Sequence, residues 1–148
     1  MNKIIQSQPV RYKDIDLSWM IGRKITGVFF HEPELWVFSF NREATINVEC
    51  PWRILKDSRL ICSGDDHKQK FGLSAPIDAA ASASALLSAV HVSSVQLLEG
   101  SADLLIQCSE NLRLEIIPIS SGYESWQLQD PFGKSFVATG GGQMCTWI

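Results

Sequence analysis

Three short strings in this sequence bring together residue types that could do chemistry. The first is Asp65-Asp66-His67, two carboxylates followed by an imidazole. Such groups can ligate a divalent cation, and a histidine can also move a proton near neutral pH. The spacing works against both uses. Adjacent residues in a loop point apart, and no Glu-x-x-His or His-x-His completes a ligand set. The stretch Gly64–Lys70 is the most polar in the chain and reads as a solvated loop. His31 and His91 stand alone at element ends and read as surface residues.

The second string, Glu49-Cys50-Pro51-Trp52-Arg53, sets a thiol between a carboxylate and a guanidinium. A catalytic cysteine needs a lowered pKa and a base such as histidine. Cys50 instead alternates with Ile46 and Val48 on an apolar face, which predicts a buried, inert thiol. Glu49 falls on the opposite face with Asn47 and is expected to pair with Arg53 if the chain bends at Pro51. The third string is Tyr123-Glu124-Ser125-Trp126. Tyr and Trp are favoured interface anchors, and the chain has five tryptophans, at 19, 36, 52, 126 and 147. Gly133-Lys134-Ser135 lacks the upstream glycine and following helix of a phosphate loop. Gly140-Gly141-Gly142 reads as a flexible or tightly turned segment before Trp147.

The elements that position these strings are mostly strands. Period-two alternation marks Lys24–His31, Glu34–Phe40, Ala44–Cys50, Trp52–Lys56 and Arg59–Ser63. It returns over Val92–Glu99, Asp103–Ser109, Leu112–Ile117, Tyr123–Gln129 and Ser135–Thr139. His31–Glu34, Asn41-Arg42-Glu43, Asp57-Ser58, Glu99–Ala102, Glu110-Asn111 and Asp130–Gly133 are the expected turns. Residues 76–90 are expected as the main packing helix, capped at Ser74 or Ala75. A short N-terminal helix is expected over Asp14–Ile21, stopped by Gly22. The two strand groups share one plan at offsets of roughly 67–70 residues, a weak internal repeat. The expected class is α+β, with nine to ten antiparallel strands in one large or two packed sheets.

A chain of 148 residues with 45% hydrophobic content fits a single domain, 1–148, able to fold without disulfides or structural metal. Its four cysteines form no Cys-x-x-Cys pair, so four free thiols in a reducing, cytoplasmic setting are expected. A formal charge of −3 argues against a nucleic-acid partner. No apolar run reaches a membrane span, and the Met1–Gln6 start has no signal-peptide core. The charge is uneven: residues 1–75 carry 11 Lys and Arg against 9 Asp and Glu, while residues 76–148 carry 2 against 7. An acidic second half can steer a basic partner.

The strings ECPWRI (Glu49–Ile54), DHKQKFGL (Asp66–Leu73) and GYESWQL (Gly122–Leu128), with the triple glycine after them, resemble a family of small bacterial proteins with no assigned function. Some of that family are similar to immunity proteins of polymorphic toxin systems. The resemblance spans about residues 20–148 and implies a bacterial cytoplasmic origin and a stand-alone domain, and it assigns no catalytic residue.

Two functional expectations follow. The favoured one is a non-enzymatic module, without cofactor or metal, that binds a basic protein and could neutralise a toxin by occlusion. Its surface is Tyr123, Glu124, Trp126 and Trp147, rimmed by Glu99, Asp103 and Glu110. The alternative is a small-ligand or metal-dependent activity centred on Asp65, Asp66 and His67 with Glu49 and Arg53, which requires these side chains to converge on a pocket. Pairing of exposed sheet edges into a homodimer is compatible with either.

Overall fold

Alternating burial along the chain carries it into twelve strands among the described residues, with one α-helix. The computed structural model describes residues 7–41 and 43–147. The Met1–Gln6 start and Arg42 of the expected turn lie outside the described residues. The strands are β1 (Ser7–Pro9), β2 (Gly27–His31), β3 (Leu35–Phe40), β4 (Ala44–Val48), β5 (Trp52–Lys56) and β6 (Arg59–Ser63). After helix α1 (Ala79–Ser88) come β7 (Val92–Leu97), β8 (Leu104–Cys108), β9 (Leu112–Ile116), β10 (Trp126–Gln129), β11 (Ser135–Gly140) and β12 (Gln143–Trp147). Every paired strand is antiparallel. One sheet has seven strands in the order β1-β12-β11-β10-β4-β3-β2, the other five in the order β6-β5-β9-β8-β7. The α+β class holds, and the strand count is higher than the nine to ten expected.

The two extra strands are β1 and β12, which pair with each other. Pro9 sits at the sheet's outer edge, where a missing N–H costs nothing. The expected N-terminal helix over Asp14–Ile21 is instead two 3-10 turns, Tyr12–Asp14 and Ser18–Met20. The Asp16 carboxylate accepts from both the backbone N–H (2.9 Å) and the hydroxyl (2.6 Å) of Ser18, a local bond that competes with helix. Helix α1 is shorter than residues 76–90. Lys68 N–H donates to Ile77 O and Ile77 N–H to Gln69 O, which holds the 76–77 segment against the loop. The cap is therefore Asp78, whose side chain accepts from Ala81 N–H at 3.1 Å.

Ala79 and Ala83 are fully buried, so α1 lies close on its neighbours β2 and β6. Ser84 Oγ accepts from Val28 N–H (2.8 Å) and donates to Val28 O (3.1 Å). One hydroxyl thus satisfies both free backbone groups of Val28 on the edge strand β2. The inward residues of both sheets, among them Phe38, Ile46, Ile54, Ile106, Leu114 and Leu128, form one core.

The strand order repeats. Exchanging β2–β6 for β7–β11 turns the order β6-β5-β9-β8-β7 into β11-β10-β4-β3-β2. The registers agree as well: Val48 opposes Trp36 and Trp126, and Ile116 opposes Leu104 and Trp52. Trp52 and Trp126 therefore hold equivalent places. In each unit a three-stranded meander stays in one sheet, and the hairpin after it crosses to the other.

Candidate functional site

The two crossings, Glu49–Pro51 and residues 117–125, run side by side at one end of the sheets. Glu49 N–H donates to Ser125 O at 2.8 Å, and Ile117 N–H donates to Pro51 O at 2.9 Å. Around them the β2–β3 turn and the Gly64–Lys68 segment leave a cavity of about 450 Å³. A neighbouring hollow of about 400 Å³ shares Glu34, Glu49, Cys50, Pro51 and Ile119 with it. Together they form one cleft.

The inner wall of the cavity is aromatic. Trp36 and Trp52 meet edge to face at 4.9 Å, and Phe30 packs on Trp36 at 4.7 Å. His67 closes this cluster, 4.7 Å from the Phe30 ring and 5.2 Å from Trp36. Its Nδ1 accepts from Ala79 N–H, the first residue of α1, at 3.1 Å. An imidazole that accepts at Nδ1 carries its proton on Nε2 and can donate there. The helix start thus fixes the ring.

The rim is acidic. Glu34, Glu49 and Asp65 line the cavity, and Glu124 lines the adjoining hollow; all four are exposed. Among the described residues lining the two spaces, Lys68 is the one lysine or arginine. Its ammonium is paired with Glu32 and stands 5.3 Å from the centre of the Phe30 ring. An aromatic face beside carboxylates is an environment that holds an ammonium.

Burial disfavours the thiolate at Cys50, Cys62 and Cys108. Burial pushes Cys50 up to about 12, with a smaller contribution from the charge of Asp103, and pushes Cys62 and Cys108 up to about 11. All four cysteines are free. The raised values have a consequence at high pH. The unfolded chain gives up these protons near pH 9, whereas the folded chain keeps them. Stability therefore falls as pH rises from about 9 towards 11–12, and it is unaffected by these thiols at neutral pH. Urea unfolding between pH 8 and 10.5 checks this: a Cys108→Ala variant has a shallower alkaline decline, and an unchanged slope would refute the assignment.

Equivalent geometry in the second unit is filled. There the β7–β8 turn spans residues 98–103, against residues 32–34 in the β2–β3 turn. The longer turn lays Ala102 O on the Trp126 indole, whose Nε1–H donates at 2.9 Å. Gly142 packs against Gly100, and the Tyr12 hydroxyl donates to Gly142 O at 2.5 Å. Trp52, equally buried, has no partner for its Nε1–H among the described residues.

The expected site residues divide accordingly. Tyr123 (80% exposed) and Glu124 stand at the cleft, as do Glu49, Asp65 and His67. Trp126 is not available to a partner: at 1% exposure it is core, because its register places it opposite the buried Val48 and Ala138. Trp147 lies apart, on β12 beside β1. The acidic rim of Glu99, Asp103 and Glu110 is split. Glu99 and Asp103 lie in the β7–β8 turn, whereas Glu110 lies at the β8–β9 turn, 4.0 Å from Lys56. Asp66 turns back to cap its own segment, accepting from Ser63 N–H at 3.2 Å. Arg53 pairs with Glu115 at 2.7 Å rather than with Glu49, because Glu115 is its cross-strand neighbour and Arg113 binds the same carboxylate. Among the described residues no three His, Cys, Asp or Glu side chains are grouped as a metal site.

Sequence reasoning missed Glu34, Ile119, and the use of Trp36 and Trp52 as walls. Ile119, 77% exposed in a Pro-Ile-Ser-Ser-Gly segment without periodicity, carried the one visible signal. Comparison with protein families, curated proteins and solved structures finds no match.

Proposed function

We propose that this protein is a non-enzymatic binding module, and that it takes a basic protein partner into the cleft beside the two crossings. The observation that carries this reading is the convergence of Glu34, Glu49, Asp65 and Glu124 around an aromatic-walled cavity, with Ile119 and Tyr123 exposed beside it. Acidic side chains at a rim speed the approach of a cationic surface, and exposed Tyr and Ile supply apolar area on contact. The raised Cys50 thiol and the separation of Asp66 and Arg53 from the cleft weigh against a reaction there. The convergence of Asp65, His67 and Glu49 on one cavity favours a second reading, in which a small organic cation occupies the same space.

The test compares two triple variants that remove the same charge. Glu34→Gln/Glu49→Gln/Glu124→Gln neutralises the cleft, and Glu99→Gln/Asp103→Asn/Glu110→Gln neutralises the other acidic positions. Binding of a capped octalysine peptide at low salt is expected to weaken about tenfold in the first, roughly half a kcal/mol per charge. The second is expected to change little. Equal loss in both would reduce the effect to net charge and overturn the cleft assignment. Tighter binding of tetramethylammonium than of the peptide would favour the small-cation reading.

A further inference from the structure

The repeat in strand order supplies an internal comparison for the cavity. Trp52 and Trp126 occupy equivalent positions, both about 98–99% buried. Around Trp126 the six-residue turn 98–103 fills the space and brings a backbone carbonyl to the indole N–H. Around Trp52 the turn has only three residues, the space is a cavity, and the indole N–H is orphaned. A buried donor left without an acceptor is costly, so an acceptor arriving at this place is rewarded. Gly64 lies over the same indole edge; a Cβ there would come 2.7 Å from Nε1. The glycine keeps the cover over that N–H thin.

From this we infer that the partner inserts a peptide turn into the cavity and does between two molecules what turn 98–103 does within this one. A backbone carbonyl of the inserted turn displaces the thin Gly64 cover and accepts from Trp52 Nε1–H, and a lysine or arginine on the turn faces Glu34 and Glu49. Charge selects the occupant. The chain's own turn carries Glu99 and Asp103, which the acidic cleft repels, so the inserted turn is basic. His67 Nε2–H offers a second donor to the same backbone. The inference rests on the cleft being the binding surface, and it adds what enters it.

A cyclic peptide of residues 97–104 carrying Glu99→Lys and Asp103→Lys is the probe. The protein is labelled with nitrogen-15, and the Trp52 indole signal is assigned by its loss in Trp52→Phe. Adding the peptide is expected to move the Trp52 indole proton downfield and leave the Trp126 indole in place. Trp52→Phe is expected to bind the peptide about fivefold more weakly, the worth of one hydrogen bond. Binding with no movement of the Trp52 signal would overturn the carbonyl contact while keeping the acidic cleft. Failure of this peptide where octalysine still binds would overturn the inserted turn. Failure of both peptides would overturn the cleft reading itself.

Discussion

Gly142→Ala is expected to lower the melting temperature by on the order of 10 °C, more than any other glycine-to-alanine change in the chain. Two costs add at this position. The backbone has φ +77°, a left-handed conformation that costs a residue with a Cβ about 1–2 kcal/mol. The added methyl would also stand 1.9 Å from Gly100 O and 2.5 Å from its carbonyl carbon. Both obstacles are backbone, so no side chain can rotate away. The β11–β12 connection and the β7–β8 turn must then part, taking with them the Tyr12 bond to Gly142 O. The control is Gly133→Ala, where φ is +88° but nothing lies within 4 Å. It pays the left-handed cost alone and loses only a few degrees. Thermal melts of the two variants decide the matter, and equal losses would mean that the contact between Gly142 and Gly100 is loose.

Phenylalanine at the two equivalent tryptophans gives unequal results. Trp126→Phe leaves Ala102 O without its 2.9 Å partner in a buried setting, and the smaller ring leaves a void. Together these cost about 3 kcal/mol or more. Trp52→Phe leaves a similar void but removes a donor that has no partner, so relief of the orphaned N–H offsets part of the loss. A gap of about 1–2 kcal/mol between the variants is expected in urea unfolding. If Trp52→Phe is the more damaging of the two, its N–H is bonded in solution and the comparison between the two units fails.

Much of the fold was legible because alternation is a local property. Trp36, Phe38 and Phe40 share one face in the sequence and are all buried in β3. The repeat was legible at its first three strands, where equivalent residues keep a nearly constant offset. It faded after Cys50 and Ile117, since the crossing 117–125 is much longer than Glu49–Pro51. Strand β1 was not legible, because three exposed residues with a proline become a strand only by meeting β12, far along the chain. The site was half legible. Glu49, Asp65, His67, Tyr123 and Glu124 stood out as residue types, but their meeting at one cleft depends on bonds between the two crossings. Whether a tryptophan is core or wall depends on the length of a neighbouring turn, and no pattern around Trp52 or Trp126 announces it.

The exchange of hairpins between the sheets governs how the molecule can come together. Hairpin β5–β6 finds its neighbour β9 only after the second meander exists, and β4 waits for β10. Neither half can finish a sheet alone, so folding has to close long loops before most pairings are rewarded, and this slows it. The same interlock makes the chain tolerant of a cut. A nick in the Gln69–Ile77 loop, where no strand is severed, leaves two fragments that each add a hairpin to the other's meander. Such fragments part only when both sheets open, so a nicked molecule comes apart in a single event.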